Sequence, residues 1–281
     1  MRAAIPQDPD LSGQGKKEVK LQLSVHFENT ADTAKKSGPV TVGWFLNEKK
    51  AGIVYFPPER VRSAEMNKQH AKSASRCPAV IGMESRYFMV RCPFDLNLEF
   101  TRDNDGRPAM RNLNGDRSGI RANKLRDKLH IAAEHEWRYP GVPTLQLQLP
   151  YVFISDEPVY ASQVAPFMHY SRTPMPGTIF GGRFPINVWP RPLMWAFEWH
   201  DIDRPLKINR GDPLFYVTFE TTPQDRSIVC VETELTDELN DYMELISGAV
   251  NYVNQTFSLF EAAEQRRPET LIKPVKRRGS D

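Results

Sequence analysis

Cysteine is scarce: Cys77, Cys92 and Cys230 are the three in 281 residues, an odd number without CxxC spacing. That argues against a disulfide framework or a cysteine-rich zinc site, and it fits a reducing cytoplasm. Long hydrophobic runs are missing too. No stretch reaches the ~18 uninterrupted apolar residues of a membrane span, and the N-terminus shows no apolar signal segment. The nucleotide-cradling patterns GxGxxG and GxxxxGK[ST] are absent, as is the GxSxG of a nucleophile elbow. What the chain has in excess is proline, 23 against 16 glycines. Interior proline costs a helix about 3 kcal/mol, so an all-helical bundle is disfavoured. With 40% apolar and 10% aromatic residues, a sizeable core can form.

The formal net charge is +2, but it is unevenly spread. Residues 102–128 carry eight basic and four acidic side chains, and residues 266–281 carry six and two, so each segment is +4 and the remainder −6. Two basic appendages on an acidic body suit nucleic acid or another acidic partner, or simply solvated charge.

Residues 1–16 have few large apolar side chains and read as a flexible arm. From Glu18 the pattern has period two: Leu21, Leu23, Val25 and Phe27 face one way, with Gln22, Ser24, His26 and Glu28 opposite. Further strands are expected at 40–46, 52–56, 85–90 and 95–100. The segment Asp103-Asn104-Asp105-Gly106 reads as a hairpin turn. Its DxDG begins like a calcium loop, but position twelve is Asn114, where a bidentate Glu is needed. The polar stretch that follows, to Lys128, is long for a plain connection.

Between Pro143 and Glu220 short strands alternate with Pro/Gly turns: Leu145, Leu147 and Leu149 on one face, then 151–154, 193–199, 206–208 and 214–220. That rhythm points to an antiparallel sandwich or jelly roll. Thr236 fits an N-cap, with Asp237 and Glu238 in the first turn. Leu239, Tyr242, Met243, Ile246, Val250, Val253, Phe257 and Phe260 then recur at helical spacing. The stripe predicts a helix packed on the sheet, with a dimer seam as the competing role.

Six histidines are present: His26, His70, His130, His135, His169 and His200. The two-His, one-carboxylate pattern of non-haem iron sites can be written only as His26, Glu28 and His200. His130 and His135 are five apart and miss the i, i+4 spacing of a zinc-protease helix. The stripe Trp195, Phe197 and Trp199 reads as core before it reads as a stacking platform. Arg172, Arg183 and Arg191 flank Gly- and Pro-rich loops and offer fixed donors to carboxylate or phosphate.

Arg172-Thr173, Gly181-Gly182, Trp189-x-Arg191-Pro192 and the run Gly211-Asp212-Pro213-Leu214-Phe215-Tyr216-Val217 carry a resemblance. Over roughly 77–260 the chain resembles a family of uncharacterised β-rich proteins encoded by tailed phages of marine bacteria, with bacterial relatives. The resemblance implies a phage-derived origin and a cytoplasmic setting during expression. It implies no activity.

The expected architecture is mainly β. Residues 1–17 form an arm and 18–235 one antiparallel β-sandwich of jelly-roll type, with a basic insertion at about 102–128. A long C-terminal α-helix covers 236–263 and a basic tail 264–281. The expected function is a phage-type, non-catalytic binding or assembly protein without a cofactor. Its contact surface is the loops 169–192, with His169, Arg172, Arg183, Trp189 and Arg191. One alternative is a jelly-roll oxygenase holding Fe(II) on His26, Glu28 and His200; another is a nucleic-acid-binding accessory protein using the basic loop and tail. Expected partners are a protein or anionic ligand, no membrane, and a second copy through the C-terminal helix. The expected location is the cytoplasm of the infected host, or the virion.

Overall fold

Period-two segments and proline punctuation fold here into many short strands. A computed structural model describes residues 38–48, 52–62, 73–171, 174–249 and 256–276. The unit 1–36 lies outside them, and with it the expected arm, the first strand, His26 and Glu28. His70 and Arg172 also lie outside the described residues.

In chain order the elements are β1 (Val40–Leu46), β2 (Glu59–Arg60), α1 (Pro78–Glu84), β3 (Tyr87–Arg91), β4 (Leu96–Arg102), β5 (Pro108–Asn112), α2 (Ala122–Lys128) and β6 (Leu129–Ile131). Next come β7 (Thr144–Gln148), β8 (Tyr151–Ile154), β9 (Val159–Val164), β10 (Gly177–Phe180), β11 (Arg183–Pro185) and β12 (Met194–Trp199). Then follow β13 (Leu206–Ile208), β14 (Pro213–Thr221), β15 (Ile228–Glu232), α3 (Asp237–Ala249) and α4 (Thr256–Gln265).

The chain is mainly β, with its strands shared among four sheets: β15-β1-β8, β10-β12-β7-β6, β11-β9-β14-β3-β2 and β13-β4-β5. Among the described residues every pairing is antiparallel except β1 with β15, which is parallel. The sheets hold three, four, five and three strands. The strands are short, and prolines such as Pro143, Pro185 and Pro205 stand at their ends, where a missing N–H costs no ladder bond. No helix among the described residues is long and apolar enough to cross a membrane.

All four sheets contribute to one apolar cluster, through residues such as Val42, Leu98, Leu147, Trp195, Phe197 and Phe219. Trp195, Phe197 and Trp199 are fully buried, and the first two stack with ring centres 5.2 Å apart. Each such side chain contributes about 1.5–3 kcal/mol by leaving water. The aromatic stripe is core.

The strand β8, Tyr-Val-Phe-Ile, has no polar residue, because both of its faces are covered. Tyr151 and Phe153 join the main core, whereas Val152 and Ile154 join a second cluster with Phe45, Leu239, Tyr242, Met243 and Ile246. That second cluster is the seat of the C-terminal helices. The Thr236 hydroxyl accepts a hydrogen bond from the Leu239 N–H at 3.2 Å, confirming the cap. The apolar stripe of α3 is thus buried within the chain, on the sheet.

One continuous helix over 236–263 is corrected by the same region. Helical residues are Asp237–Ala249 and Thr256–Gln265, and the Tyr242 phenol lies 3.0 Å from the Ala263 carbonyl oxygen. In a straight helix those residues would stand about 30 Å apart. The two helices therefore fold back on one another. Val250 and Val253 lie outside the described residues.

The basic tail is corrected as well, up to residue 276. Arg267 donates to the carbonyl oxygens of Asn187 (2.7 Å), Pro268 (3.0 Å), Ser155 (3.2 Å) and Asp156 (3.1 Å). Leu271 and Ile272 are buried, and Thr233 bridges Pro274 in antiparallel fashion. Gly43 makes room for this docking, since a Cβ there would stand 2.9 Å from Ile154 Cγ1 and 3.2 Å from Ile272 Cγ1. Residues 277–281 lie outside the described residues.

Residues 52–56 form no strand; Pro57-Pro58 offers no N–H to a ladder, and the Phe56 carbonyl instead accepts the Tyr151 hydroxyl at 2.6 Å. The insertion at 102–128 is folded, as the β4–β5 hairpin, a 3-10 turn and α2. Its turn behaves as read: Asp103 Oδ1 accepts from the N–H groups of Asp105 and Arg107, each at 2.9 Å, and Gly106 takes φ 77°.

Candidate functional site

Of the five residues expected to form one contact surface, Arg172 lies outside the described residues, and the other four are distributed over three separate places. Arg183, on β11, is held by Glu220 of β14, with Nη2 to Oε2 at 2.8 Å and Nε 3.1 Å from both oxygens. Its guanidinium also lies 3.8 Å from the centre of the Tyr160 ring. The Arg183 hydrogen bonds, helped by the Ser162 hydroxyl, hold the Glu220 carboxyl below the usual carboxylate range. Arg183 is a cross-strand clamp.

His169 lies on the connection from β9 to β10 and lines a cavity of about 470 Å³ with Pro166, Met175, Ile179, Lys207 and Asp212, among others. Trp189 and Arg191 line a different space, a cleft of about 570 Å³. One wall of that cleft is Trp189-Pro190-Arg191-Pro192; the other is α3, through Asn240, Met243, Glu244 and Ser247. Trp189 is buried and meets the Phe260 ring edge-on at 5.1 Å, so it anchors the wall to α4. Arg191 is exposed and has no carboxylate partner among the described residues. Lys128, on the cleft's margin, is paired with Glu48 at 3.0 Å.

His200 follows the end of β12. Its Nε2 is 3.2 Å from the Thr178 hydroxyl and 3.7 Å from Glu198 Oε2. Both contacts fall on one ring nitrogen, so Thr, His and Glu do not form a relay, which would need the two nitrogens to face different partners. Glu198 is itself tied to Arg138 Nη2 at 2.6 Å. The other two members of the iron triad, His26 and Glu28, lie outside the described residues.

Neither the buried Cys92 nor the half-buried Cys230 is poised as a nucleophile. Burial pushes Cys92 and Cys230 up to about 12, and Asp212 and Asp95 add to the effect at Cys92.

The basic segment divides into paired and unpaired charges. Arg102 meets Glu134, Arg107 meets Asp105, Arg111 meets Glu99, and Lys124 meets Asp127. Arg117, Arg121 and Arg126 are exposed and have no carboxylate partner among the described residues.

Several of these groups carry no signal in the sequence. Glu198 alternates with buried aromatics and reads as solvent-facing, yet it is 3% exposed. Lys207 lies within a three-residue strand and carried no motif. Arg267 looked like tail charge. Against known proteins, the chain matches no family model, no curated protein and no solved structure.

Proposed function

We propose that this is a non-catalytic binding or assembly protein of a tailed phage, acting in the cytoplasm of the infected host or in the virion. Its binding surface is the cleft between the Trp189–Pro192 wall and α3. The carrying observation is Arg191: an exposed guanidinium without a carboxylate partner among the described residues, on a proline-stiffened wall of a cleft of about 570 Å³. Pro190 and Pro192 fix the backbone around it, so little entropy is lost when Arg191 engages a partner. The fitting partner is an extended protein segment with an acidic residue for Arg191 and apolar contacts for Pro190, Pro192 and Met243. A jelly-roll-like sandwich is part of the same proposal, supported by the main apolar cluster, to which all four sheets contribute.

Panning a displayed random-peptide library on the purified protein tests the cleft. Acidic peptides should be selected, and Arg191→Glu should weaken them at least about tenfold. Selected peptides that bind the variant equally well would end the proposal. Mass spectrometry of purified particles separates a virion component from a host-cytoplasm protein.

Arg117, Arg121 and Arg126, without carboxylate partners among the described residues, favour a second reading, a nucleic-acid-binding accessory role. Three phosphate contacts on duplex DNA would give a slope of about −2.7 in log affinity against log salt. Replacing all three by Ala should flatten it. Binding that ignores salt would dismiss the reading.

A further inference from the structure

We propose that the cavity beside His169 is a separate binding site for a small amphipathic anion, whose apolar body enters the cavity and whose charge rests on Lys207. Its volume, about 470 Å³, falls within the ~300–1,000 Å³ of small-molecule sites. It accommodates a single-chain or flat aromatic ligand.

The lining divides as such a ligand requires. Pro166, Met175, Ile179, Ile208 and Pro213 supply apolar surface. Among the described lining residues the charged groups are Lys207 and Asp212, and His169 is also part of the lining. Asp212 is already employed: its Oδ2 accepts from the Asn209 N–H at 2.8 Å and from Asn209 Nδ2 at 3.0 Å, closing the turn before β14. Lys207 is exposed and has no carboxylate partner among the described residues. The Asn209 donors are neutral, so Asp212 keeps its charge but is held in the turn; among the described lining residues the charged group free to meet a ligand is the Lys207 ammonium. Thr178 and His169 add hydrogen-bonding groups to the lining.

The walls are braced from behind, so the cavity does not need to be assembled by the ligand. Phe167 sits edge-on to Tyr87 and Tyr216, with ring centres 5.2 and 5.3 Å away, and this fixes the connection that presents His169. Arg204 Nη2 donates to the Met175 carbonyl at 2.8 Å, and the Asp201 N–H donates to the Pro176 carbonyl at 2.8 Å. Gly177 lets β10 close on β12, because a Cβ there would stand 1.9 Å from the Glu198 carbonyl oxygen.

Fluorescence titration with two dyes of similar apolar body tests this site: anilinonaphthalene sulfonate, which is anionic, and N-phenylnaphthylamine, which is neutral. The protein should bind both, and decanoate should displace both. Lys207→Glu should weaken the sulfonate dye at least about tenfold and leave the neutral dye within about twofold. Ala165→Trp, at an exposed lining position, should fill the cavity mouth and remove both signals. Unchanged binding in Ala165→Trp, equal weakening of both dyes by Lys207→Glu, or failure of decanoate to compete would each overturn the proposal. None of these outcomes bears on the Arg191 cleft.

Discussion

The Tyr242 phenol oxygen lies 3.0 Å from the carbonyl oxygen of Ala263 and 3.0 Å from that of Val188. The hydroxyl has one proton, shared between the two carbonyls, and so links α3 to α4 and to the segment that leads into the Trp189–Pro192 wall. Both acceptors are buried with it, so they depend on this hydroxyl for part of their hydrogen bonding. Tyr242→Phe keeps the ring and removes the link. It should cost about 1–2 kcal/mol in urea unfolding and raise amide exchange in α4. A loss under about 0.5 kcal/mol would show that the hydroxyl carries no structural role.

The same residue contributes to a pH dependence. Burial pushes Tyr242 from 10.0 up to about 12, and Cys92 and Cys230 from 9.0 up to about 12. In each case the folded state holds its proton more tightly than the unfolded chain. The associated stability is fully present below about pH 9 and is lost as pH rises from 9 towards 12, where the unfolded chain ionises first. Urea midpoints measured from pH 7 to pH 11 should therefore be level up to about pH 9 and then fall. Tyr242→Phe should fall less steeply above about pH 10. A flat profile to pH 11 would contradict the burial of these groups.

Arg267 and Lys273 belong to the same basic segment in sequence and to different physical situations in the fold. Arg267 ties α4 to the β8–β9 turn and to Asn187 through carbonyl oxygens, whereas the Lys273 ammonium meets Glu234 in solvent, with the two side chains 64% and 43% exposed. Hydrogen bonds to a charged group contribute about 1.5–3 kcal/mol, and surface pairs about 0–1. Arg267→Ala should therefore lower stability by about 2–3 kcal/mol, and Lys273→Ala by less than about 1. Equal effects in thermal unfolding would show that the segment 266–276 is not clamped.

How far the sequence reveals this molecule depends on whether a residue's fate is local. Strands β1, β8, β13 and β14, the Asp103 turn and the Thr236 cap follow from alternation, turn chemistry and capping, all of which act over a few residues. Arg183, Arg191 and Arg267 look alike in sequence, each beside proline or glycine. Glu220, an unpartnered cleft and a set of backbone carbonyls separate them, and each of those is supplied by chain brought in from elsewhere. The reversal between α3 and α4 is hidden for a related reason: apolar spacing continues through residues 250–255, and spacing alone does not distinguish one long stripe from two facing ones. For the candidate site, Trp189 and Arg191 were legible as a pair, since two residues apart on a Pro-rich segment keeps them together. Lys207 was not, because it reaches the His169 cavity from a distant strand.

Arg138 and Glu198 give the sharpest case of a charge that depends on one partner. Glu198 is 3% exposed in the sheet β10-β12-β7-β6, and Arg138 Nη2 approaches its Oε2 at 2.6 Å from the connection between β6 and β7. The guanidinium also lies 4.8 Å from the Tyr139 ring centre and 5.1 Å from that of Phe180, which limits its movement. Removing one member of a buried pair leaves the other charge uncompensated at a cost of about 3–5 kcal/mol. Arg138 is 51% exposed, so water partly replaces it, and Arg138→Ala should cost about 2–3 kcal/mol. Glu198→Gln removes the buried charge and keeps an acceptor for Arg138, so alone it should cost about 1 kcal/mol or less. The decisive comparison is the double variant: Arg138→Ala with Glu198→Gln should recover at least about half of the loss seen in Arg138→Ala. If the two losses simply add in urea unfolding, the penalty does not come from a stranded carboxylate, and the pairing has no part in holding β12 against β10.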